Sequence, residues 1–128
     1  MSVVAVGLDF VDVGRVERML ERHGDRILRR LLTADERFYC QGMAVPARHV
    51  AARIAAKEAT YKALSQGGSD RVVWWSHVEV VRDSRGRPGL RLYDRAQASA
   101  AKLGITQCLV SLTHSDTQAA AIVILLNA

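Results

Sequence analysis

Two acidic residues in this chain stand where a carboxylate is costly. Glu58 lies in "AARIAAKEATYKAL", residues 51–64, a stretch that reads as a helix. At about 100° per residue, Val50, Ala51, Ile54 and Tyr61 share one face, with Glu58 at its middle. A carboxylate there must be paired, protonated or bound to a cation. Lys62 follows one turn on and offers an ordinary helix ion pair worth about 0.3–0.5 kcal/mol. Lys57 flanks the opposite edge. The second residue, Asp9, closes the apolar run "SVVAVGLDF" at the C-terminal end of a strand, where binding sites often lie. It also competes with Asp12 to cap the helix that follows. Should Asp9 and Glu58 converge, their oxygens would suit Mg²⁺, which takes few carboxylates and shares substrate phosphates.

Other residues carry weaker signals. Arg15, Arg18, Arg22, Arg26 and Arg29 would fall within about 80° of one another if one helical phase ran through Gly24. Such a face suits an acidic helix or phosphates, or is simply solvated beside Glu17, Glu21 and Asp25. His114 precedes a polar turn, but neither an acid partner nor a nucleophile elbow accompanies Ser111. Gly67-Gly68 is not a phosphate loop, and Trp74-Trp75 reads as strand packing or a subunit contact.

The elements that must position these groups follow from periodicity and punctuation. Residues 2–9 read as a buried strand, and a helix runs from about Val11 to Arg22, where "HGD" interrupts it. Ile27–Leu32 makes a further apolar turn. Thr33 and Glu36 form a capping box for a helix over 34–41. Pro46 opens a helix reaching about Ser65, stopped by Gly67-Gly68. Residues 72–82 read as a strand and 90–94 as a second, with Asp94 capping a helix that ends at Gly104. Two last strands, 106–115 and 119–126, flank the turn "SDTQ". Adjacent strand pairs favour a single α+β domain over residues 1–128, an antiparallel sheet wrapped on a long helix.

Composition narrows the class. The chain has 128 residues, one domain's worth, and 18 basic against 13 acidic side chains give a net charge of +5. Aromatics are only 5%, which argues against base-stacking platforms. Cys40 and Cys108 match no zinc or redox spacing and read as reduced thiols. No apolar run is long enough to span a membrane, and the N-terminus lacks a basic leader, so a cytoplasmic location is expected.

Taken together, "VGLDFVDVGRVERML", "ARIAAKEATYKAL", "GRPGL" and "LVSLTHSDTQAAAIVI" resemble the holo-[acyl-carrier-protein] synthase family, the small type of 4'-phosphopantetheinyl transferase. The resemblance covers nearly the whole chain in order. It implies transfer of the 4'-phosphopantetheine arm of coenzyme A to a serine of an acidic apo acyl carrier protein, leaving adenosine 3',5'-bisphosphate. By motif matching it makes Asp9 and Glu58 the Mg²⁺ ligands and Glu58 and Lys62 the catalytic residues. Arg53, Lys57, Lys62, Pro88, His114 and Ser115 would bind coenzyme A; Arg15, Arg18 and Arg22 would bind the carrier. It further implies a homotrimer with sites between subunits, and neither nucleic acid nor membrane as partner. The chain departs from the family pattern at Ile54, at "SQGGSD" over Ser65–Asp70, at His77 and at Leu109. The alternative function is a non-catalytic basic module that grips an acidic protein or nucleic acid.

Overall fold

The computed structural model describes residues 1–65 and 72–128; the glycine pair expected to stop the long helix and most of "SQGGSD" lie outside the described residues. In chain order the elements are β1 (Ser2–Asp12), α1 (Val13–His23), α2 (Asp25–Leu31), α3 (Ala34–Gln41) and α4 (Pro46–Leu64). A single 3-10 turn (Trp75–His77) leads into β2 (Val78–Arg82), β3 (Pro88–Leu92), α5 (Asp94–Lys102), β4 (Ile105–His114) and β5 (Gln118–Asn127). Among the described residues all strand pairs are antiparallel, in two sheets: β1-β5-β4, and the ribbon β2-β3. The expected α+β architecture, with sheet packed on a long helix, is what forms.

α4 is the axis of the molecule. It is rich in alanine, and small side chains let neighbouring backbones approach closely. β1 exploits this at Gly7, where a Cβ would lie 1.8 Å from the carbonyl oxygen of Ala59. The expected apolar stripe on α4 is broader than the spacing suggested. From Val50 to Leu64 every residue is buried except Glu58 and Lys62, so Arg53 and Lys57 are enclosed as well.

Several boundaries differ from expectation for identifiable reasons. β1 runs three residues past Asp9, because its pairing with β5 continues to Asp12↔Gln118. Asp9 is therefore mid-strand, opposite Ala121, and Asp12 is the N-cap, accepting from the Arg15 amide at 2.9 Å. Gly24, with φ 55, separates α1 from α2, so the five-arginine stripe does not share one helical phase. Residues 72–77 are not strand. α4 side chains take their carbonyls instead: Tyr61 donates to Trp74 O and Lys57 to Trp75 O. β3 begins and ends two residues earlier than expected. Asp94 is the first residue of α5 rather than its cap, which is Tyr93, and it has φ 48. The last hairpin forms as read, with the Ser115 amide donating to Gln118 O at 2.7 Å.

Replacing Gly7 by Ala forces β1 away from α4, because the clash is with backbone and not with a flexible side chain. Overpacking of this kind costs about 1–3 kcal/mol, and equilibrium urea unfolding of Gly7→Ala should show a loss of at least that size.

Candidate active site

β1 and α4 cross where Gly7 allows contact, and the next outlet for a side chain on each element faces one cavity. Asp9 reaches it from β1, and Glu58 and Lys62 from successive turns of α4. Arg15 joins them from the first turn of α1. The cavity measures about 340 Å³, with an apolar floor that includes Val16, Met19 and Ile54. The Lys62 ammonium donates to Asp9 Oδ1 at 2.7 Å and to Leu8 O at 3.2 Å. Asp9 keeps about a fifth of its side chain exposed and Lys62 about two fifths, so the pair is reachable from solvent. Glu58 is half-buried beside them.

Two carboxylates, a lysine and an arginine around a cavity of this size can bind a phosphorylated ligand and handle a proton. Two carboxylates are also a sufficient protein contribution for Mg²⁺, which fills its remaining positions with water and phosphate oxygens. Among the described residues, no cluster of three or more His, Cys, Asp or Glu is arranged as an all-protein metal cage.

The family model of the 4'-phosphopantetheinyl transferase superfamily matches residues 5–123. The chain belongs to that superfamily. It is 44% identical to the holo-[acyl-carrier-protein] synthase of Geobacter metallireducens over 123 residues, covering 96% of this chain and 97% of that one. The acyl carrier protein synthase structure from Mycobacterium tuberculosis is 34% identical, with a TM-score of 0.77 over 99% of this chain and 100% of that one. A holo-(acyl-carrier-protein) synthase from Bacillus anthracis, solved in complex with CoA (3',5'-ADP), is 31% identical, with a TM-score of 0.77 over 98% of each chain.

The structure divides the remaining residues that the family resemblance singled out. Lys57 is not placed to hold a phosphate. Its side chain is fully buried, and its ammonium donates to Glu36 Oε1 at 2.8 Å, Trp75 O at 2.7 Å and Val78 O at 2.6 Å. Those three bonds use all its donors. Burial pushes the ammonium below its ordinary pKa, and Glu36 opposes that shift. Glu36 had shown itself in the sequence only as the capping-box residue of α3. It does cap, but its second oxygen accepts from the Val80 amide at 2.9 Å, and the first is shared with Lys57. Nothing in the spacing of Glu36 and Lys57, 21 residues apart, announces this pair.

Arg53 is likewise buried, yet it faces a different group. Its guanidinium lies over the Tyr39 ring at 4.4 Å, and Arg82 lies over the same ring at 4.8 Å. His49 meets Tyr39 edge-on at 5.8 Å and His114 at 5.1 Å. Pro88 is the register partner of Arg82, which brings it to the same end of the ribbon. Ser115 shapes the adjoining turn, its hydroxyl accepting from the amides of Thr117 and Gln118. Tyr39, His49 and Arg82 carried no sequence signal, because three separate elements contribute them. Arg18 sits 3.8 Å from Asp12 on the exposed side of α1, and Arg22 lies in the last turn of that helix. His77 stacks on Trp74 with centroids 5.5 Å apart, and its Nε2 is 3.5 Å from Asp94. Leu109 is exposed on β4.

Removing the Lys57 ammonium leaves the Glu36 carboxylate buried without its cation. Lys57→Met should therefore lose about 3–5 kcal/mol of stability in urea unfolding, and the double variant Lys57→Met/Glu36→Gln should recover part of it.

Proposed function

We propose that this protein transfers the 4'-phosphopantetheine arm of coenzyme A to a serine hydroxyl of an apo acyl carrier protein, yielding holo carrier and adenosine 3',5'-bisphosphate. The observation that carries the reading is the convergence of Asp9, Glu58 and Lys62 on one cavity, in a chain with full-length similarity to holo-[acyl-carrier-protein] synthases. In the reaction the serine oxygen bonds to the phosphorus bearing pantetheine, and the bond from that phosphorus to the bridging oxygen breaks. Glu58 is the base that accepts the serine proton. Lys62 stabilises and protonates the leaving phosphate from one turn further along α4.

Asp9 and Glu58 would hold Mg²⁺, and the bound ion would supply charge neutralisation for the diphosphate. The Lys62–Asp9 bond supports this assignment, since the site already stabilises a positive charge against Asp9. Arg15 at the cavity, with Arg18 and Arg22 beyond it on α1, suits an acidic carrier approaching along that helix.

The family resemblance implies a homotrimer with sites between subunits, and the outer face of the β1-β5-β4 sheet supports association between copies. Val6, Leu8, Phe10, Leu109 and Ile122 are exposed there, and the register places Leu8 against Ile122 and Val6 beside Ile124 and Leu109. A cytoplasmic location is supported by the free thiols of Cys40 and Cys108; no described helix is long and apolar enough to cross a membrane.

Incubated with coenzyme A, Mg²⁺ and an apo acyl carrier protein, the protein should add one phosphopantetheine to the carrier, read by intact mass. No mass gain, where a control transferase loads the same carrier, would refute the function. Glu58→Gln should keep the fold and lose about 10²–10⁴ in turnover. Charge reversal in Arg18→Glu/Arg22→Glu should raise KM for the carrier at low salt far more than it changes kcat, a difference that shrinks as salt is added.

A further inference from the structure

Asp12 places a negative charge at the start of the helix that offers Arg15, Arg18 and Arg22 to an acidic carrier. Charge alone makes it an obstacle to such a partner. The bonds of the carboxylate give it another use. Its Oδ2 accepts from the Arg15 amide at 2.9 Å, and its Oδ1 accepts from Gln118 Nε2 at 3.2 Å. Arg18 Nη2 lies 3.8 Å from Oδ2, a looser pairing between two side chains open to solvent. Gln118 opens β5, so the last hairpin braces the carboxylate while the carboxylate holds α1. The same hairpin takes the first amide of the helix, Val13 N donating to Thr117 O at 2.9 Å.

The first turn of α1 depends on this support. Gly14 sits within it, and glycine costs a helix about 1 kcal/mol relative to alanine. No acidic residue inside the turn meets the positive end of the helix dipole, which leaves that task to Asp12. Val13 and Val16 are buried and anchor one side of the turn. Arg15 is exposed on the other side, and its side chain borders the cavity that holds Asp9, Glu58 and Lys62. The cap bond ends on the amide of Arg15 itself. A Cβ added at Gly14 would meet Arg18 Nη1 and Asp12 Oδ2, each at 3.4 Å, the far ends of two flexible side chains. Alanine therefore fits there.

We propose that Asp12 is a positioning residue for Arg15: by capping α1 with a carboxylate braced by Gln118, it keeps the Arg15 guanidinium beside the cavity, in place for an acidic side chain of the carrier. The inference rests on the carrier reading above. It reverses the sign expected from charge. Deleting the carboxylate removes a repulsion, yet carrier recognition weakens because Arg15 is released from its place.

The test is steady-state loading of an apo acyl carrier protein at low salt, comparing Asp12→Ala with Asp12→Asn. Both remove the same charge, but asparagine caps a helix as well as aspartate does and alanine does not. Asp12→Ala should raise KM for the carrier about three- to tenfold, with kcat and the KM for coenzyme A little changed. Asp12→Asn should keep the carrier KM at or below the wild-type value. Adding Gly14→Ala to Asp12→Ala should recover part of the loss, since it stiffens the turn without restoring the charge. In the free protein, amide hydrogen exchange at Arg15 should quicken in Asp12→Ala and return toward wild type in Asp12→Asn, with thermal melts confirming that every variant is folded. Carrier KM values that move together in the alanine and asparagine variants would overturn the proposal, as would a loss confined to kcat or shared by coenzyme A. If those results come from a wild type that loads the carrier, only the role of Asp12 fails. If wild type loads no carrier where a control transferase does, the coenzyme A reading fails and the proposal with it.

Discussion

Lys57 carries its ammonium to a place with no solvent exposure and finds there one carboxylate oxygen and two backbone carbonyls. A buried charge is tolerated only when its donors are fully used and its counter-charge is equally well held. Glu36 meets that condition through the Val80 and Thr33 amides. The result is a four-way junction between α3, α4, the turn at Trp75 and the start of β2. It ties the rotation of α4 about its own axis to the place of the Lys57 ammonium. With Lys57 pointing into the junction, Glu58 and Lys62 must emerge elsewhere, and they emerge together. Many buried ion pairs can be replaced by apolar residues without loss of stability, but replacing this one would remove the constraint on rotation.

The second constraint comes from β1. Gly7 permits the strand to lie against Ala59, two residues before Asp9 on the strand and one after Glu58 on the helix. Side chains alternate along a strand, so Asp9 follows Gly7 onto the face that meets α4. The opposite face of β1 presents Val6, Leu8 and Phe10 to the outside. One strand therefore supplies an acidic group to the cavity and an apolar surface to whatever covers the sheet. Each side of that division requires the register seen with β5, since a slip by one residue would exchange them.

Local chemistry made much of this legible before any coordinates. The capping box at Thr33–Glu36, the proline start of α4 and the last hairpin all depend on residues within a few positions of one another, and all form as read. Asp9, Glu58 and Lys62 were visible because charged residues interrupted apolar patterns. What stayed hidden required contacts between distant segments. Lys57 reads as the edge of an apolar face and Arg53 as a coenzyme A contact implied by the family resemblance, yet α4 is enclosed on nearly every side and both are buried. Residues 72–77 have strand composition, but α4 side chains capture their carbonyls. The cluster at Tyr39 is assembled from α3, α4, β2 and β4, and no spacing within any one of them reveals it.

The central claim is that α4 and β1 bring Asp9 and Glu58 to a common point where a divalent cation and a diphosphate meet, with Lys62 alongside. Its most direct test is a crystal of the protein grown with coenzyme A and Mn²⁺, with the metal located by anomalous scattering. The account predicts one strong peak about 2.0–2.3 Å from carboxylate oxygens of both Asp9 and Glu58, with the Lys62 ammonium moved from Asp9 to a phosphate oxygen. A peak elsewhere, with the Lys62–Asp9 bond intact beneath bound coenzyme A, would contradict it.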